Sequence, residues 1–260
     1  MTDPQVLAAT RADRADYALR LGDDALVLSH RLAEWSSRAP QIEEDIALTN
    51  IGLDLLGQAR ALLTHAGTLE GDGRDEDDLA YLRSEHEFRC CLLVEQPTRD
   101  DFGLAIAVQL FFSAHQLPLY QALSQSTDTV LAGVANKGVK EARYHLEHAA
   151  EWTIRLGDGT ELSHRRMQGA LEAVWPLTGE LFQADEMTAR LVAAGVAADP
   201  AALRAPWDTT IDAVLTEATL TRPSGSVLAG TGRSGRHSEH LGYLLAEMQY
   251  LHRLHPGARW

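Results

Sequence analysis

Gln41-Ile-Glu-Glu-Asp-Ile-Ala-Leu-Thr-Asn50-Ile-Gly-Leu-Asp-Leu-Leu-Gly-Gln-Ala-Arg60-Ala-Leu-Leu-Thr-His-Ala66 is the stretch that decides the fold class. It holds no proline, and Ile42, Ile46, Leu48, Ile51, Leu53, Leu55, Leu56 and Leu62 fall almost all the way round a helix, the pattern of a helix buried among others. Its exceptions are polar and evenly spaced: Asn50, Asp54 and Gln58 recur at steps of four, one line along one face. Polar groups on a buried helix need polar partners, so a second helix should answer this line.

The answering line is Lys137, Glu141 and His145, on a helix read from Thr129 to Leu156 and stopped by Gly157 and Asp158-Gly159. Two more long helices complete a set of four. One carries Leu21, Ala25, Leu28, Leu32 and Trp35 on a single face and ends before Pro40. The other is capped by Asp100 or Asp101, holds Leu104 to Phe112, and should kink at Pro118. Shorter helices are expected through Phe88, from an N-cap at Ser163 to Phe182, and over 185–194, 207–220 and 237–254. No strand-length alternation appears, so the spacing predicts an all-α, ferritin-like bundle of four long core helices with shorter helices added. We place a mobile N-terminal extension at 1–15, a single domain at 16–260, and a flexible Gly-, Ser- and Arg-rich loop at 221–236.

The formal charge is −14, from 37 acids against 23 Lys and Arg. A surface of that sign repels nucleic acid and anionic membranes. The chain opens on no basic segment followed by an apolar run, and Cys90 and Cys91 are adjacent and without a third cysteine to pair with, which points to the reducing cytoplasm. Beside Leu92, Leu93 and Val94 they read as buried and inert.

Two-iron bundles draw a glutamate from each of two helices and Glu-x-x-His from each of two others. The single Glu-x-x-His here, Glu161 to His164, falls where a helix begins rather than in a core. On the buried lines Asn50 is followed three residues on by Leu53, Asp54 by Gly57 and Glu141 by Tyr144. Asn50, Asp54, Glu141, Tyr144 and His145 therefore read as a degenerate metal site or as a polar network pairing Asp54 and Glu141 with cations such as Lys140 or Arg143; no metal and no catalytic residue is assigned. His145-x-x-His148, His237-x-x-His240 and His252-x-x-His255 offer two ligands apiece, fewer than a zinc site needs. Gly230-Thr-Gly232-Arg-Ser-Gly235 matches a dinucleotide fingerprint in letters, yet no strand precedes it. Arg222, Arg233 and Arg236, in an acid-free loop of an acidic chain, are candidates for contacting coenzyme A or a partner.

Several runs carry a more specific resemblance: Leu-Arg-Leu-Gly-Asp-Asp from Leu19, the run from Asn50 to Arg60, Leu-Leu-Val-Glu-Gln-Pro from Leu92, Lys-Glu-Ala-Arg-Tyr-His-Leu from Lys140, Arg-Leu-Gly-Asp-Gly-Thr from Arg155, and Leu-Leu-Ala-Glu-Met-Gln-Tyr-Leu from Leu244, close to the Pro-Gly and Trp260 at the end. From Asp16 to Trp260 the chain resembles the C subunits of phenylacetyl-CoA epoxidases. The resemblance implies a non-catalytic, ferritin-like structural subunit that binds no cofactor itself. It would pair, as a heterodimer or in a higher assembly, with a catalytic A subunit holding a di-iron centre. A small B subunit and a reductase carrying flavin and iron–sulfur make up the rest of that system, which epoxidises the ring of phenylacetyl-CoA with oxygen and NADPH. The alternatives are an autonomous di-iron oxidase on Asp54, Glu141 and His145, and a coenzyme A-binding subunit of the same complex.

Overall fold

The computed structural model describes residues 9–258. Its four long helices are α1 (Arg11–Ala33), α2 (Ile42–Glu70), α4 (Phe102–Leu123) and α5 (Thr129–Gly157), with the short α3 (Glu76–Tyr81) between the two pairs. After α5 come α6 (Glu161–Val174), α7 (Glu186–Ala193), α8 (Pro200–Glu217), α9 (Glu239–Met248) and α10 (Tyr250–Leu254). Among the described residues there is no strand. α1 packs along α2, α4 along α5, and α2 closes the bundle against α5, while α6 and α8 lie over the α4–α5 pair.

Capping sets most of the starts. Thr10 and Asp13 form a reciprocal box: the Asp13 amide donates to Thr10 Oγ1 at 3.0 Å and the Thr10 amide to Asp13 Oδ2 at 2.9 Å. α1 thus begins ahead of the boundary read at Asp16, and 11–15 are helical, with Thr10 as their cap; residues 1–8 of the expected extension lie outside the described residues. The Arg190 guanidinium on α7, with Thr10, holds the Asp13 carboxyl down at about 2, an ion pair that ties the appended helices to the bundle. Asp101 caps α4 and Asp128 caps α5, as the sequence suggested for the former. α6 is capped by Thr160, with Ser163 at its third position, and Pro176 tightens its continuation into 3-10 turns over Trp175–Phe182. α8 starts at Pro200, earlier than expected, because Asp199 caps it and Pro200 fits a first helical turn; Pro206 lies inside. The expected last helix divides at Gln249, whose buried amide donates to the Ala80 and Arg83 carbonyls.

The two N-terminal helices exchange the roles their patterns suggest. α1, read as one-faced, is buried nearly all round, including Asp23, Asp24 and Arg31. α2, read as buried, leaves Ile42, Ile46 and Leu53 72%, 57% and 59% exposed, while Leu48, Ile51, Leu55, Leu62 and Leu63 face inward. Each inward residue contributes about 1.5–3 kcal/mol by leaving water. α4 is apolar and long enough to cross a membrane by those criteria, but 78% of its most apolar window is buried inside the fold, so its composition is that of a core helix. It runs on past Pro118, which has no N–H to give the Ala114 carbonyl.

The segment 221–236 is fastened along its length. The Trp175 indole donates to the Gly225 carbonyl at 3.1 Å, the Leu228 amide to the Pro176 carbonyl at 2.7 Å, and the Arg233 amide to Glu180 at 2.9 Å. Gly232 lies so close to the Cys90 carbonyl that a side chain there would collide with it. Where composition suggested a free insertion, the fold has a strap seated on the bundle.

Candidate functional site

The two polar lines do converge. α2 and α5 run antiparallel and meet through Glu44–His148 at 2.7 Å, Asp54–His145 at 3.1 Å, Gln58–Glu141 at 2.8 Å and His65–Asp128 at 3.0 Å. At the centre Gln58, itself buried, uses both ends of its amide. Its Nε2 donates to Glu141 while its Oε1 accepts from the Tyr120 hydroxyl at 2.8 Å and from Gln116 Nε2 at 3.0 Å. Burial raises the Tyr120 phenol above its usual value, so it stays protonated and donates. Glu141 also pairs with Lys137 at 3.3 Å. Burial lowers the His145 pKa despite the opposing pull of Asp54, which keeps the ring neutral near pH 7.

Of the five degenerate positions, the fold joins Asp54 to His145 and gives Glu141 to Gln58 and Lys137. Asn50 is exposed, and Tyr144, 46% exposed, touches only the rings of His145 and His148. The cation meeting Glu141 is Lys137, one turn away on its own helix, in place of the Lys140 or Arg143 read from sequence.

This donor set does not fit a two-metal carboxylate centre. The seam's middle has two carboxylates, each already engaged, and α4 contributes Gln109, Ser113 and Gln116 where acids would be required. Asp23 and Asp24 of α1 are turned to other partners. Among the described residues the one group of His, Cys, Asp or Glu ligand atoms that gathers closely is Cys90, Glu95 and His237, away from the seam. There both ring nitrogens of His237 face acceptors, Glu95 Oε1 at 2.7 Å and the Phe88 carbonyl at 3.0 Å. Both must carry hydrogen, so the ring is an imidazolium paired with Glu95. Desolvation pulls its pKa down, and the Glu95 hydrogen bond and charge more than reverse that. Cys90 and Cys91 are fully buried, and burial pushes both thiols well up, which leaves them protonated.

A denser buried network was missed by sequence reasoning. Asp23 binds Arg83, one nitrogen at 3.0 Å, and accepts the Arg89 amide at 2.7 Å. Asp24 takes both arms of Arg233, at 3.0 and 2.7 Å, and the Cys91 amide at 2.8 Å. Glu180 receives the amides of Leu92 and Arg233, and Glu95 accepts from the Ser238 amide and hydroxyl. The Gly-Asp-Asp run of α1, the Leu-Leu-Val-Glu run and the strap are thus one clamp. Acids flanked by Leu21, Ala25 and Leu26 within a helix were its one visible signal. The clamp also disposes of most of the Arg-rich loop. Arg233 is committed to Asp24, and Arg222 binds Asp208 and Asp212, lying 5.1 Å over the Trp175 ring. Arg236 alone of the three is exposed with no side-chain partner among the described residues.

The chain as a whole has known relatives. Residues 2–260 match the family model described as "Phenylacetic acid catabolic protein", and the chain belongs to that family. It is 50% identical over 244 residues to the C subunit of the 1,2-phenylacetyl-CoA epoxidase of Escherichia coli (strain K12), an alignment covering 94% of this chain and 98% of that one. Among solved structures, "Protein 19 with aldehyde deformylating oxidase activity from Synechococcus" superposes with a TM-score of 0.60 at 17% identity, over 82% of this chain and 94% of its own. At that identity the likeness establishes the ferritin-like fold alone.

Proposed function

We propose that this chain is a non-catalytic structural subunit of a multicomponent oxygenase that epoxidises the aromatic ring of phenylacetyl-CoA in the cytoplasm. In this reading it pairs with a catalytic A subunit and holds that subunit's bundle in its active geometry. The observation that carries the reading is the α2–α5 seam: its central polar positions are spent on one another through Gln58, Tyr120, Glu141 and Lys137, where an oxygenase would keep carboxylates and histidines free for metal. The 50% identity to the C subunit of an epoxidase supports the assignment to such a complex. Iron then belongs to the A subunit, flavin and iron–sulfur to the reductase, and the assembly is made whole by the small B subunit. A structural partner acts by mass action, since a surface that binds only the native form of the other chain stabilises that form.

The autonomous-oxidase reading would require breaking Asp54–His145 and Gln58–Glu141, and the coenzyme A reading keeps Arg236 alone of its three arginines. Purified A subunit, assayed with B and reductase, tests the proposal. Turnover of phenylacetyl-CoA should fall to a small fraction without this chain and recover when it is added, whereas full-rate turnover in its absence would refute the role.

A further inference from the structure

The seam has an uncovered side. Helical spacing fixes which residues lie there: turning from Asp54 and Glu141 away from the core brings Ile46, Leu53 and Gly57 up on α2, and Gly133, Lys140 and Tyr144 up on α5. Leu53 and Ile46 are among the most exposed large apolar residues of the fold. Nothing stands within 4 Å of where side chains on Gly57 or Gly133 would be, so another backbone can approach closely at both.

Charge singles out the same side. Both lysines of the chain, Lys137 and Lys140, are on it, with Arg143 at its outer edge, and neither Lys140 nor Arg143 has a carboxylate partner among the described residues. Counted along the seam with Arg60, they make four cations against Glu43, Glu44, Asp54, Glu141 and Glu147, which leaves the side near neutrality in a chain of charge −14. An acidic partner meets little repulsion there. From Glu44 to His65 the seam runs about 30 Å, and two helix widths give roughly 600 Å², close to the ~800 Å² per partner of a stable interface.

Resting on the structural-subunit reading above, we propose that this α2–α5 side is the docking surface for the catalytic subunit, which meets it with a helical surface whose apolar residues cover Ile46 and Leu53 and whose carboxylate reaches Lys140. Asp54, Gln58, Glu141 and His145 beneath already have hydrogen-bond partners, so docking buries apolar area without stranding these four. The exposed Tyr243, Tyr250 and Leu254 on α9 and α10 form a second apolar surface, bordered by Glu239, Glu247 and an Arg253 whose guanidinium is already given to the Tyr81, Leu82 and Arg83 carbonyls, and serve as the control.

The test uses the full chain and purified A subunit, with affinity measured by sedimentation for the wild type, for Leu53→Asp combined with Lys140→Glu, and for Tyr243→Ser combined with Leu254→Ser. The first variant should bind at least roughly tenfold more weakly with an unchanged melting curve, and the control should bind like the wild type. Hydrogen exchange on the unmutated complex, which does not depend on a variant folding, should slow in α2 and α5. Undiminished binding by Leu53→Asp/Lys140→Glu, protection confined to α9 and α10, or self-association of the isolated chain through α2 and α5 would overturn the surface while wild-type binding upheld the subunit reading. No wild-type complex at all would overturn both.

Discussion

Gln58 holds the seam because an amide can donate and accept at once, where a carboxylate could only accept. Its replacement by leucine keeps the volume but takes a hydrogen-bond partner from each of Glu141, Tyr120 and Gln116, leaving Glu141 only Lys137. The expected loss is about 1–3 kcal/mol for each stranded partner that water cannot reach, read as a lower urea midpoint, whereas an unchanged midpoint would mean the network relaxes freely. This line was legible in the sequence because residues four apart on one helix announce a shared face. The partners of Asp23, Asp24 and Glu95 were not, since Arg83 is 60 positions from Asp23 and Arg233 is 209 from Asp24, and local spacing says nothing about such pairings. His237 gives the clamp a pH dependence. Its folded pKa lies above the ordinary 6.5, so the pair with Glu95 stabilises fully below that value and is lost as pH rises through the higher folded one. Melting temperature should therefore decline as pH rises above 6.5 in the wild type and lose that component in His237→Gln; identical profiles would contradict the imidazolium assignment.

Elements are joined by close approach as well as by pairs. Gly138 on α5 lies against the Tyr120 ring of α4, and a methyl group there would overlap it. Gly138→Ala gains helix propensity worth about 1 kcal/mol yet should still destabilise, because Tyr120 cannot move without leaving Gln58. A stabilised variant in thermal melts would show that the α4–α5 contact is loose. Helix existence could be read in advance, with Asp101 as a cap and Gly157 as a stop, whereas Thr10, Asp128 and Asp199 gave no such reading and Ser163 stood in for the true cap Thr160. Which helix is central could not be. α2 has apolar residues on every side because some of them face outward, and α1 hides acids that composition would assign to solvent. The same limit explains the strap at 221–236: glycine and serine mark a departure from helix, and only the packed structure reveals Gly230, Gly232 and Leu228 fitted against Glu180, Cys90 and Pro176.

At the scale of the molecule, four long helices of a ferritin-like fold pack together, and the middle of the α2–α5 seam is occupied by side chains that hydrogen-bond to one another. The exposed side of that seam combines apolar area with charge near balance. In the role proposed for it, this chain supports a metal site without containing one. The most direct measurement is elemental iron per polypeptide, on this chain purified alone and on the chain co-expressed with the A subunit. Iron is expected only in the co-expressed complex, in proportion to the A subunit, with none retained by this chain after the two are separated. About two irons bound by the isolated chain, lost on Glu141→Ala, would contradict that role and make the seam an active site.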